Sequence, residues 1–351
     1  MDVNIAQGSQ PFIAVVVRDA GHSAGGTVMT TLELGKSVTF KNILVATDFS
    51  DASKHALQCA AAITDLNGAE LFILHAVPPE PHLPVPLDPL PASADREFSE
   101  AKLNLEKAVS TGLLSHVHHE GILEHGPVGE VVLDAIQREK IDLLVLGTHG
   151  RTGLKKLVLG SVAEELFRRA PCPVLTVGPS AVPARQIRKV LFATDFGPSS
   201  RQALPYAIDF ANQTGGELIL LHVVSPFPVD YVGPLWYPGT DLVEREESSR
   251  QESLKRLRDL LPSNSGLSCY VDHVVEVHLA PEGIINFAKQ HEVDLIVMGV
   301  RESGTNAPRL SAHMPWATAY DVVCHAACPV LTIRGLGIAK TARLRQPRIG
   351  L

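Results

Sequence analysis

The sequence is poor in the features that would take it out of the soluble globular class. Its cysteines (Cys59, Cys172, Cys269, Cys324 and Cys328) are few, odd in number and without a repeated Cys-x2-Cys, which argues against a disulfide framework or a zinc ribbon. Cys324 and Cys328 stand four apart, so they could share a helix face near His325, and all five are expected as small buried hydrophobes in a reducing compartment. No apolar run approaches the ~20 residues a membrane span needs. No Lys or Arg precedes the apolar stretch 12–17, so a secretory leader is not expected and the cytoplasm is the expected compartment. Basic charge is also short. Lys and Arg total 31 against 38 Asp and Glu, a net charge of −7 that lacks the footprint of a nucleic-acid binder. The tract Ser115-His116-Val-His118-His119 resembles a metal tract, since alternate strand residues share a face. With no Cys or acidic partner at a ligand spacing, it reads as a solvent-facing strand end and no metal ligand is assigned.

What is present is a repeat. The chain has 351 residues, 45% of them apolar, enough for two domains with filled cores. Lys41-Asn-Ile-Leu-Val-Ala-Thr-Asp-Phe49 returns as Arg188-Lys-Val-Leu-Phe-Ala-Thr-Asp-Phe196, and Glu70-Leu-Phe-Ile-Leu-His-Ala-Val77 as Glu217-Leu-Ile-Leu-Leu-His-Val-Val224, both at an offset of 147 residues. Ile141-Asp-Leu-Leu-Val-Leu-Gly147 matches Val293-Asp-Leu-Ile-Val-Met-Gly299 at offset 152, and Cys172-Pro-Val-Leu-Thr-Val177 matches Cys328-Pro-Val-Leu-Thr-Ile333 at 156. The offset grows only between blocks, as insertions in connections require.

Each block is a short apolar run without polar alternation, as in parallel strands buried on both faces. Residues 53–67 carry apolar side chains at helical spacing (Ala56, Leu57, Ala60, Ile63) before Gly68, a suitable residue just past a helix end. Stretches 92–112 and 129–140 read the same way. Alternating strands and helices predict an α/β fold: two doubly wound parallel-sheet domains. The expected division is an extension over 1–37, a first domain over 38–179, a short linker, a second domain over 185–335 and a basic tail over 336–351. The extension is expected to be mobile. Pro-rich connections at 78–91 and 225–239 belong at the carboxyl edge of the sheet, beside any ligand crevice. The runs 172–177 and 328–333 are each a last strand, and an uncovered edge invites pairing.

The stretch with most chemistry runs from Leu146 to Ser161: Leu146-Gly147-Thr-His149-Gly150, then Gly160-Ser161 opening a helical pattern over 162–169. A helix N-terminus after a buried strand offers unpaired N–H groups and a positive dipole end to an anion. Glycines let backbone approach phosphate oxygens, though a tight turn without ligand explains them equally well.

The spacing Gly147-x2-Gly150-x9-Gly160-Ser161 resembles the nucleotide-binding signature of the universal stress protein family. The Ala-Thr-Asp-Phe, Leu-His-Ala-Val and Cys-Pro-Val-Leu-Thr-Val runs are similar to that family too, over 38–178 and 187–334. The resemblance implies two such domains in a pseudo-two-fold arrangement, paired through their last strands, with further homodimerisation open. It implies ATP in the first domain, with Mg²⁺ or Mn²⁺ accompanying the phosphates. Asp48 would lie near the ribose, Ala46 and Ala76 beside the adenine, and Leu146 and Gly147 along the crevice. His149, Gly150, Gly160, Ser161 and Val162 would cradle the phosphates. Asp48 has a competing role, capping the following helix. His149 beside phosphate needs no acid–base role.

The second half departs from this pattern. Glu302 replaces Gly150, while Trp316 and Ala317 stand where Gly160 and Ser161 do; Asp195, Val223 and Gly299 persist. A regulatory protein is expected, binding one ATP and an unknown protein partner and involving neither nucleic acid nor membrane. A slow ATPase or adenylyl-transfer enzyme and a ligand-free scaffold are the alternatives. No carboxylate suited to positioning a water lies within the loop itself, so no catalytic residue is assigned.

Overall fold

A computed structural model describes residues 38–79, 92–148, 159–178, 181, 187–226, 240–261, 267–300 and 317–334. The expectations for the extension, the tail, the two Pro-rich connections, His149, Gly150, Glu302 and Trp316 lie outside these residues.

The first half runs β1 (Asn42–Ala46), α1 (Asp51–Asn67), β2 (Glu70–Val77), α2 (Ala92–Val109), β3 (His118–His125), α3 (Val128–Arg138), β4 (Leu143–Gly147), α4 (Ser161–Arg169) and β5 (Val174–Val177). The second repeats it as β6 (Lys189–Ala193), α5 (Pro198–Thr214), β7 (Glu217–Val224), α6 (Thr240–Leu260), β8 (Tyr270–Val277), α7 (Ala280–Gln290), β9 (Leu295–Val300), α8 (Ala317–His325) and β10 (Val330–Arg334). The strands form one ten-stranded sheet in the order β3-β2-β1-β4-β5-β10-β9-β6-β7-β8. Every pairing is parallel except the central one, where β5 and β10 meet antiparallel with Val330 opposite Thr176 and Thr332 opposite Val174. The order of the first half is mirrored in the second, so the seam carries the pseudo-two-fold axis.

Helix ends follow local chemistry. Ser50 caps α1 by accepting the Ser53 amide, and Gly68 closes it in the left-handed region at φ 61°. That cap starts the helix two residues earlier than the apolar spacing alone indicates. Helix α2 ends at Val109, before the one-turn 3-10 segment Gly112–Leu114. Helix α8 ends at His325, so Cys324 is on the helix and Cys328 beyond it; the two do not share a helix face.

Alternate strand residues face opposite layers. Ile43, Val45, Leu71, Ile73, Leu143 and Val145 pack with α1 and Leu105 of α2 in a core that continues through Leu175, Val177, Leu331 and Ile333 into the second half. On the other face Leu44, Leu74, Leu144 and Leu146 pack against Val131, Val132, Ala135 and Leu166 of α3 and α4. At the seam, buried Thr176 donates to the Val330 carbonyl (3.2 Å) and buried Thr332 to the Val174 carbonyl (3.1 Å), so each strand satisfies the other's backbone. Phe40, just ahead of β1, sits against Tyr206 and Phe210 of α5, with ring centroids 6.0 and 6.1 Å apart.

Candidate functional site

In a doubly wound sheet, ligands sit outside the carboxyl ends of the strands, where the chain direction reverses. Here that point lies between β1 and β4, whose last registered pair is Ala46 with Leu146. Ala76 stands on β2 opposite Glu124 of β3, outside this pair. Ala46, Ala76, Leu146 and Val162 all belong to the packing layer covered by α3 and α4, so the structure brings these four to one face.

The turn from β1 into α1 is held from several sides. Thr47 donates its hydroxyl to Ser53 Oγ (3.1 Å) and accepts the Phe49 amide (3.1 Å). Asp48 Oδ1 accepts the Ser50 amide at 3.0 Å. With Ser50 as the helix cap, Asp48 braces the turn ahead of the helix, and the competing cap role falls to its neighbour. Phe49 has φ 64°, an uncommon conformation for a bulky residue. Its ring lies 4.4 Å from the His75 ring, and His75 Nδ1 is 2.7 Å from the Thr47 carbonyl. Because a carbonyl only accepts, Nδ1 carries the proton. The second half repeats the device. Phe196 has φ 61°, His222 lies 4.4 Å from it, and His222 Nδ1 is 2.7 Å from the Thr194 carbonyl. Neither the positive φ nor the Phe–His contact was expected from the sequence, although Thr-Asp-Phe and Leu-His recur in both halves.

Gly147 has a packing reason to be glycine. A Cβ there would lie 2.9 Å from the Ala52 carbonyl carbon and 3.0 Å from the Ser53 nitrogen, so the first turn of α1 rests directly on β4. Beyond it, the Thr148 amide donates to Val177 O (3.0 Å), and the Gly160 amide to Thr148 O (2.9 Å). The connection is thereby pinched where it leaves the strand and where it re-enters the helix. Gly160 caps α4 without any side-chain cap bond, and the Glu164 amide returns to the Gly160 carbonyl at 2.8 Å. The amides of Ser161, Val162 and Ala163 thus form the open end of α4, with Ser161 exposed. Glu164 in this first turn is paired with Arg168 at 3.6 Å, which tempers its repulsion of an anion.

On the α1–α2 side an open groove of about 1100 Å³ runs from Asp48 and Phe49 to Asn104 and Lys107 of α2 and Thr111 just beyond it. In the second half, at the offset of 152 that relates β3 to β8, Arg256 takes the place of Asn104 and lies 4.0 Å over the Phe196 ring. Asp195 there is gripped by the Gly197 amide (2.8 Å) and the Ser200 hydroxyl (2.9 Å).

Other candidates separate from this site. His116, His118 and His119 are exposed around the start of β3, and no metal-holding group of three His, Cys, Asp or Glu exists among the described residues. None of the five cysteines is in a disulfide, and burial pushes the thiols of Cys172 and Cys328 up to about 12, far from a reactive thiolate. Among the described residues no helix is long and apolar enough to cross a membrane.

The repeated order of elements has a counterpart in known proteins. The sequence model of the universal stress protein family matches residues 39–178 and, again, residues 186–334. The chain belongs to the universal stress protein family. Its members are stress-response proteins, and this one carries the family unit twice. A universal stress protein of Methanocaldococcus jannaschii is 34% identical over 141 residues, 39% of this chain and 82% of that protein. One of Thermus aquaticus is 37% identical over 139 residues, 39% of this chain and 98% of its own. The crystal structure of a universal stress protein from Archaeoglobus fulgidus superposes with a TM-score of 0.55 at 21% identity, covering 84% of this chain and 98% of that one. At that identity the likeness establishes the fold.

Proposed function

We infer that this universal stress protein is a regulatory nucleotide-binding protein that holds one ATP in its first half. The observation that carries the reading is the pairing of two features across the β1–β4 junction. The uncapped end of α4 at Ser161–Ala163 offers a positive dipole and backbone donors to phosphate. The braced Asp48 turn offers a carboxylate suited to ribose hydroxyls. Ala46, Ala76 and Leu146 line the shared face between them as an apolar bed for a base, and Gly147 holds the turn of α1 against β4. Mg²⁺ or Mn²⁺ travels with the phosphates, with Ser161 as the nearest hydroxyl donor in the described part of the cradle.

The second half lacks the counterpart. Ala317 opens α8 where Ser161 opens α4, and the sequence places Glu302 and Trp316 where the first half has Gly150 and Gly160. A regulatory role is preferred to catalysis because no carboxylate suited to positioning a water lies within the loop itself. The unknown protein partner would read the nucleotide state. The test is calorimetric titration of the intact chain with ATP. One site per chain is expected, abolished by Gly160→Trp and weakened at least tenfold by Asp48→Asn, which preserves the oxygen that accepts the Ser50 amide. Two tight sites, or a single site indifferent to both substitutions, would overturn the reading.

A further inference from the structure

One imidazole touches the chain on both sides of Asp48. His75 Nδ1 donates to the Thr47 carbonyl at 2.7 Å. That oxygen belongs to the peptide group joining Thr47 to Asp48, and a peptide group is planar, so the bond fixes the plane from which Asp48 leaves. On the far side the Phe49 ring lies 4.4 Å from the same imidazole, and Phe49 is the residue that turns the chain through its left-handed conformation. The Thr47 amide donates to the Leu74 carbonyl at 2.9 Å, so two successive residues of β2 grip Thr47 beyond the last strand pair, Ala46 with Leu74. His75 is buried, so removing its donor would leave the carbonyl unsatisfied rather than hydrated.

The second half builds the same clamp with an additional tie. His222 meets the Thr194 carbonyl and the Phe196 ring at the same 2.7 and 4.4 Å. There, however, the Ser200 hydroxyl reaches Asp195 Oδ1 at 2.9 Å, beside the Gly197 amide at 2.8 Å. In the first half the equivalent hydroxyl, that of Ser53, turns to the Ser50 carbonyl at 3.0 Å, and Asp48 Oδ1 accepts the Ser50 amide. The orientation of Asp48 therefore depends more on the histidine than that of Asp195 does.

We propose that His75 is a positioning residue for the Asp48 carboxylate, setting it for a ribose through the Thr47–Asp48 peptide and the Phe49 ring. The proposal rests on the nucleotide reading above and goes beyond it in naming what fixes the ribose-binding group. A preset carboxylate needs no reorganisation when the sugar arrives, so releasing the clamp weakens nucleoside binding and leaves the phosphate donors at the start of α4 untouched.

The experiment uses the full chain with His75→Phe, which keeps a ring against Phe49 and removes the donor, and His75→Asn, whose amide nitrogen takes the place of Nδ1. His75→Leu replaces the phenylalanine variant if that one does not fold. Adenosine and ATP affinities are expected to fall together about fivefold in His75→Phe, the size of one neutral hydrogen bond, and to recover in His75→Asn. Binding of inorganic tripolyphosphate is expected to be unchanged, and His222→Phe to leave all three affinities unaltered. Without any ligand, hydrogen exchange at the Ser50 amide, which Asp48 Oδ1 accepts, is expected to quicken about fivefold in His75→Phe. A tripolyphosphate loss equal to that of adenosine, the same losses in His222→Phe, or no recovery with asparagine would reduce His75 to general packing and overturn the proposal, as would unchanged adenosine affinity. An unaltered chain that takes up neither adenosine nor ATP would overturn the nucleotide reading, and Ser50 exchange would still decide the clamp: no quickening in His75→Phe refutes it.

Discussion

Replacing Gly147 by alanine tests whether this glycine serves packing or ligand. The added methyl would sit 2.9 Å from the Ala52 carbonyl carbon, 3.0 Å from the Ser53 nitrogen and 3.1 Å from the Ala52 oxygen. All three are backbone atoms, so no side-chain rotation relieves the contact and the first turn of α1 must move away from β4. Overpacking of this kind costs about 1–3 kcal/mol, or a melting shift of roughly 2–6 °C in a chain of this size. The displaced turn carries Asp48, so ATP affinity falls together with stability. Gly299 provides an internal comparison, because its Cβ would lie 2.3 Å from the Ser199 carbonyl carbon and 2.4 Å from the Ser200 nitrogen. Gly299→Ala must therefore cost more than Gly147→Ala. Thermal unfolding of both variants, followed by circular dichroism, together with ATP titration, decides the matter. An unaltered melting temperature with lost ATP binding would place the requirement at the ligand and refute the packing account. So would a Gly299 variant milder than the Gly147 variant.

The remaining predictions concern the seam and His222 of β7. Thr176→Pro removes a backbone donor from a four-residue strand paired on both sides, so the chain is expected to open or aggregate; a monodisperse variant with an unchanged radius by X-ray scattering refutes this. Thr176→Val with Thr332→Val keeps the ladder but deletes two buried hydroxyl bonds, and is expected to cost about 2 kcal/mol in urea unfolding, with an unchanged denaturation midpoint as the contrary result. Burial holds His222 below its ordinary 6.5, so the folded ring resists a proton that the unfolded chain accepts. Stability is therefore expected to fall as pH drops through about 6.5, and less steeply in His222→Gln. Parallel pH–melting curves for the two proteins would contradict the assignment.

How much was legible followed from burial. Strands β1, β2, β4 and β5 and their copies are covered on both faces, so they appear as unbroken apolar runs, and the repeat fixed their equivalence. Strand β3 is different: His118–His125 lies at the sheet edge, largely exposed, and neither its length nor its extent is marked by apolar residues. Only its histidine-rich start drew attention. Helix starts depended on caps, as at Ser50, where one hydroxyl outweighs apolar spacing. In the site, Ala46 and Leu146 could be brought together because both lie at the carboxyl ends of strands flanking the chain reversal, Ala46 last in β1 and Leu146 next to last in β4. The Phe49 conformation could not, since no composition signals φ above zero at phenylalanine. The packing of Leu159, Ala163 and Phe167 with the second half's core joins residues far apart in sequence, so it was invisible until the sheet was assembled.

That packing bears on what the second half contributes, whether or not it holds a ligand. A half on its own would end at β5, whose four residues are all buried in the assembled sheet and whose outer backbone groups meet β10. It would also leave Leu159, Ala163 and Phe167 of the α4 segment without the second-half core that they join. Both requirements are met by apolar side chains and backbone of the second half, none of which depends on a ligand. A serine-to-alanine difference at the start of α8, a proline at 315 and a carboxylate at 302 cost the second half nothing in those duties. On the nucleotide reading proposed above, the same differences would be ruinous in the first half, where the open amides and Ser161 would face the phosphates. If the first half alone holds nucleotide, the duplicated chain is a site and its support, and the seam of β5 with β10 is a part that both halves must keep.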